Sequence, residues 1–124
     1  MPVLRYEAIS PATIEDAQAS FALGDFDTLA QQVVAVALFT NDARGASTLC
    51  ENVARLKHPL ARGNAILAFG HLARRFRSLD RSVVEPLVIA GLNDSGAWVR
   101  GHAHSAADDL ERFLGWQTQA RAGT

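Results

Sequence analysis

The stretch Arg62-Gly63-Asn64-Ala65-Ile66-Leu67-Ala68-Phe69-Gly70-His71-Leu72 aligns without a gap to Arg100-Gly101-His102-Ala103-His104-Ser105-Ala106-Ala107-Asp108-Asp109-Leu110, 38 residues further along the chain. Arg, Gly, two Ala and Leu are shared. The last three of these are spaced by three and four residues, which puts them on one face of a helix. Alanine at two of the contact positions lets neighbouring helices approach closely, and leucine fills the space beside them. Phe113 and Leu114 extend that face in the later copy. The repeat therefore reads as helix packed on helix.

Outward from the repeat, 22 alanines are scattered through the chain and favour helix, because alanine loses no side-chain entropy there. No stretch alternates like a strand. Helix-start signals recur at Ser10-Pro11, Asp27, Asn41-Asp42, Pro59, Asp80 and Asn93-Asp94-Ser95, and Gly24 suits a helix stop. They predict six helices, at 11–23, 27–40, 42–57, 59–77, 80–92 and 95–115, in one all-α domain spanning 1–124. Residues 1–10 and 117–124 lack periodicity and read as peripheral or mobile.

The 124 residues suffice for one domain, and 48% hydrophobic content is too high for a disordered chain. Apolar runs such as Val33–Phe39 are too short to cross a bilayer. A net charge of -1 with no basic tail disfavours general nucleic-acid binding. The single Cys50 cannot form an internal disulfide, and Met1–Glu7 lacks the charged and apolar regions of a secretory signal. These features together read as a cytoplasmic protein.

Residues that could carry chemistry do not assemble into a catalytic or metal constellation in the sequence. His102 and His104 are two apart on a helix and point to nearly opposite sides, whereas helix ligands of a shared ion are three or four apart. Cys50 lies among Leu49 and Val53, with His58 two turns away, and reads as a buried thiol. Asp108 and Asp109 diverge by about 100° and do not share a proton. No catalytic residue, metal or cofactor is expected. Charge is uneven: residues 1–30 carry -4, whereas 62–81 carry +4 through Arg62, Arg74, Arg75, Arg77 and Arg81 against Asp80. The arginines near the end of a helix are explained by its dipole. Trp98 and Trp116 read as core, cap or, if exposed beside acidic groups, an interface anchor.

The segment Leu92-Asn93-Asp94-Ser95-Gly96-Ala97-Trp98-Val99-Arg100-Gly101-His102-Ala103-His104-Ser105-Ala106-Ala107 resembles a HEAT repeat: leucine, aspartate two later, Val-Arg, then alanines at helical spacing. In that pattern Asp94 caps the helix, Val99 packs inward and Arg100 bonds to the neighbouring repeat. The earlier copy departs from it by placing His58 and Pro59 at the turn. The resemblance implies a short α-solenoid of about three stacked antiparallel helix pairs, presenting one surface built from the second helix of each pair. Off the apolar stripe of those helices lie Asn64, His71, Arg75, His102, Ser105, Asp109 and Arg112, a polar face for one compact protein partner.

The runs Gly63–Phe76, Val99–Ala103 and Ser105–Leu110 are also similar to small bacterial HEAT-like immunity proteins of polymorphic toxins, including contact-dependent growth inhibition systems. That similarity implies a one-to-one complex with a cognate toxin domain, often a nuclease, whose active site or substrate surface is covered. It implies no direct nucleic-acid or membrane contact. Acidic residues would then meet a cationic toxin groove: Asp94, Asp108, Asp109 and Glu111 at one end, Glu15, Asp16, Asp25 and Asp27 at the other. The alternative is a protein-binding adaptor unrelated to toxins. An enzymatic rival, a HEAT-like DNA glycosylase or chromophore lyase, belongs to longer proteins.

Overall fold

Local capping chemistry sets most helix boundaries in the computed structural model, which describes residues 10–122. Helix α1 (Ile14–Leu23) starts at Thr13, whose hydroxyl accepts from the Asp16 N–H while the Asp16 carboxylate accepts from the Thr13 N–H. This reciprocal box satisfies two otherwise orphaned donors and moves the start past the expected Ser10-Pro11. The helix ends at Gly24, where φ of 73° suits a residue without Cβ.

Asp25, not the expected Asp27, which lies inside the first turn, caps α2 (Phe26–Phe39), and Asp42 caps α3 (Ala43–Ala54), through hydrogen bonds to Thr28 N and Gly45 N. Helix α3 stops short of the expected residue 57. His58 caps α4 (Pro59–Phe76): its Nδ1 accepts from Ala61 N, and its Nε2 lies 3.2 Å from Asp27 Oδ1. An unprotonated Nδ1 is required for that cap, so the imidazole hydrogen is on Nε2, facing Asp27. Asp80 caps α5 (Arg81–Leu92).

Helix α6 (Ala97–Leu114) begins after Gly96, and no side chain caps it directly. Asp94, expected as that cap, accepts instead from Gly96 N–H and from Arg62 of α4. Arg100, expected to reach the neighbouring unit, donates to the carbonyls of Asp94 and Ser95 in its own turn. Arg62, not Arg100, is therefore the arginine that links α4 to the turn before α6.

All seven elements are helices, with no strand among the described residues. Helix α4 lies between α2 and α6 and makes its most extensive contacts with them. Helices α1, α3 and α5 each lean mainly on the helix that follows, and touch one another less. The shared repeat positions Ala65, Ala68 and Leu72, with Ala103, Ala106 and Leu110, are all buried and form the centre of the core. Ala30, Val33 and Ala37 of α2 have the same spacing and burial. Their letters do not repeat those of α4, which hid this stripe from a sequence comparison.

The expected aperiodic tail behaves differently over its described part. Trp116 is buried under Arg81, whose guanidinium carbon is 5.2 Å from its ring centre. Helix α7 (Thr118–Ala122) packs on α5 and α6, and the Thr118 hydroxyl donates to Glu85 at 2.9 Å. Glu85 is 5% exposed and accepts two hydrogen bonds from Arg81, with Arg121 at 3.7 Å. Burial opposes its ionisation, but these donors and charges outweigh that cost and hold its carboxyl below the usual range. Of the remaining terminal residues, 1–9 and 123–124 lie outside the described residues.

Candidate protein-binding face

Every third or fourth residue of α4 and α6 that points away from the core converges on one surface. Along α6 this stripe is Trp98, His102, Ser105, Asp109 and Arg112; along α4 it is Leu60, Leu67, His71 and Arg74. The two stripes adjoin because α4 carries glycine where α6 crosses it. A Cβ on Gly63 would meet the Trp98 ring at 2.7 Å, and one on Gly70 would meet the Asp109 carboxylate. Real side chains do not approach so closely, so these glycines admit the Trp98 and Asp109 side chains.

Trp98 is 47% exposed, which answers the question the sequence left open for the two tryptophans. Its ring centre is 4.3 Å from that of His102, tilted by 50°. The contact holds the indole against α4 while leaving about half of it to solvent. His102 is half-buried, and burial lowers its pKa. For His71, burial and the Arg74 charge lower the pKa, partly offset by the Asp109 carboxylate. Both imidazoles therefore favour the neutral form, which can donate and accept at once.

Several residues expected on this face have work inside the fold. The Asn64 amide donates to the Ala30 carbonyl at 2.9 Å, and Arg75 donates to the Ala37 carbonyl at 2.9 Å. Both side chains tie α4 to α2. Asp94 is engaged by Arg62, and Asp108 faces the far side of α6, where it accepts from Gln119 of α7. The residues brought together are His71, Trp98, His102, Ser105, Asp109 and Arg112. Sequence reasoning missed Leu60, Leu67 and Arg74, which alternate with Asn64 and Arg75 around the same helix. Only the position of α2 distinguishes the two sets.

The other candidates are accounted for by packing. Cys50 is fully buried, and desolvation together with the Glu51 charge raises its pKa well above that of a free thiol. The arginine cluster is dispersed: Arg75 reaches Ala37, Arg77 and Arg81 stack over Phe113 and Trp116, and Arg81 pairs with Glu85. Among the described residues no three His, Cys, Asp or Glu side chains are grouped to hold a metal ion. No helix among them is long and apolar enough to cross a membrane. Comparison of the chain with protein-family models, curated proteins and solved structures finds no match.

Proposed function

We propose that the chain is a cytoplasmic binding protein, not an enzyme, which uses the α4–α6 face to hold one protein partner. The observation that carries this reading is Trp98, a half-exposed indole fixed between His102 and Gly63 and rimmed by polar groups. A rigid aromatic surrounded by polar side chains supplies large apolar contact area at low entropic cost, the usual make-up of an energetic hot spot. The arrangement in which α2, α4 and α6 pack side by side, each backed by its predecessor, supports a short HEAT-like stack of three helix pairs.

Together with the sequence resemblance, this favours an immunity protein that neutralises a cognate toxin domain, such as a nuclease of a contact-dependent growth inhibition system. Co-expression with the toxin domain encoded next to the gene, followed by titration calorimetry, tests it. The expected result is a one-to-one complex of nanomolar affinity that abolishes toxin activity, weakened about 30-fold or more by Trp98→Ala. No binding to that toxin would refute immunity. A different partner recovered on the same face would support the adaptor function instead.

A further inference from the structure

A second docking surface lies on the opposite layer of the molecule, between α1 and α3. Here a groove of about 460 Å³ has Ile14, Phe21 and Leu49 on its apolar side and Glu15, Gln18 and Asp42 on its polar side. A neighbouring groove shares Ile14, Glu15 and Asp42 and continues to Phe39, which is 50% exposed. The apolar surface is thus continuous across two helix ends. Charge selects what fits it. Residues 10–43 contain five carboxylates, Glu15, Asp16, Asp25, Asp27 and Asp42, and no Lys, Arg or His. All five are exposed.

Helix capping explains why three of these acids are present: Asp16, Asp25 and Asp42 bond backbone N–H groups at helix starts. It does not supply counter-charges. Arg44 follows Asp42 by two residues and Arg55 donates to Asn52 on the α3 wall of the groove, but with Glu51 included residues 10–55 carry six carboxylates against these two arginines, so the groove lies in a net acidic field. A field of that sign attracts and orients a basic partner and repels an acidic one.

We infer that this groove takes a basic amphipathic segment of a partner protein, with apolar side chains against Ile14, Phe21 and Leu49 and a Lys or Arg at Glu15 and Asp42. The site is separate from the Trp98 face and stands whether or not the partner is a toxin.

The test titrates the isotope-labelled full chain with a short amphipathic Leu/Lys peptide and, in parallel, its Leu/Glu counterpart. Amide shifts should concentrate at Ile14, Gln18, Phe21 and Leu49 with the Leu/Lys peptide only, and weaken with salt. Glu15→Lys/Gln18→Lys should lower affinity about tenfold, and Ala22→Lys, at another exposed lining position, should act in the same direction. Trp98→Ala should leave peptide binding unchanged. Equal binding of the Leu/Glu peptide, shifts centred on Trp98, or no shift at millimolar peptide would each overturn the inference. So would self-association through Glu15 in place of peptide capture, which would make the occupant a second copy.

Discussion

Gly63 and Gly101 occupy the same place in the repeat and the same distance into their helices, yet replacing each with alanine should have different outcomes. In both cases the helix gains about 1 kcal/mol from alanine's lower conformational entropy cost. A Cβ on Gly101 meets nothing within 4 Å, because no helix among the described residues packs on that side of α6. Gly101→Ala should therefore stabilise by about 1 kcal/mol, which for a chain of this length raises Tm by about 4 °C. At Gly63 the new methyl falls 2.7 Å from the Trp98 ring, which must move.

Trp98 is 47% exposed. Burying about half of a tryptophan side chain contributes at most about 3 kcal/mol. Losing a third to a half of that contact cancels the helix gain, so Gly63→Ala should come out near neutral, about 1–1.5 kcal/mol below Gly101→Ala. Urea unfolding followed by circular dichroism measures both, and fluorescence should report greater solvent exposure of Trp98 in Gly63→Ala alone. Equal stabilisation by both substitutions would refute the seating of Trp98 on Gly63. Destabilisation by Gly101→Ala would show that something covers the outer side of α6.

Other outcomes follow from the core, the C-terminal cluster and the histidines. Leu72→Ala, which empties a fully buried position at the centre of α4, should cost about 2–5 kcal/mol by chemical denaturation. Glu85→Gln should cost about 1–3 kcal/mol by removing the charge that Arg81 and Thr118 bond. Because the folded state lowers the Glu85 pKa from 4.5, its contribution is full above that value and is lost as pH falls through the lower folded value. The Tm difference between Glu85→Gln and the parent should accordingly shrink in acid.

For His71 and His102 the folded state also lowers the pKa, from 6.5, and so resists protonation. Their contribution is present above 6.5 and declines as pH drops towards the folded values. Replacing both with glutamine should flatten the fall of Tm between pH 7.5 and pH 5.

The helical class was legible because it is a local property. Periodic alanines, Asp42 and Asp80 at helix starts and Gly24 at a helix stop all act within a few residues of their own position, whereas at α2 the cap is Asp25 and not the expected Asp27. At the start of α1 the boundary differs because its short-range signal takes a less familiar form. Thr13 and Asp16 form a capping box in which aspartate stands for the more familiar glutamate. The tail was harder, since what orders Trp116 and Thr118 is Glu85 and Arg81, more than thirty residues earlier.

By itself, then, the sequence determined the helices and the stripes that bury, Ala65-Ala68-Leu72 and Ala103-Ala106-Leu110, because 3.6 residues per turn fixes the angle between side chains on one helix. It did not determine which neighbour stands at each angle. The tertiary structure decided that α2 flanks α4 on the side of Asn64 and Arg75, turning them to carbonyls, and that α6 crosses at Gly63 and Gly70. That left Leu67 and His71 on the open face that they share with Trp98, His102 and Asp109 of α6. Contacts between helices depend on the packing of all of them together, and no periodicity within one helix encodes its partner.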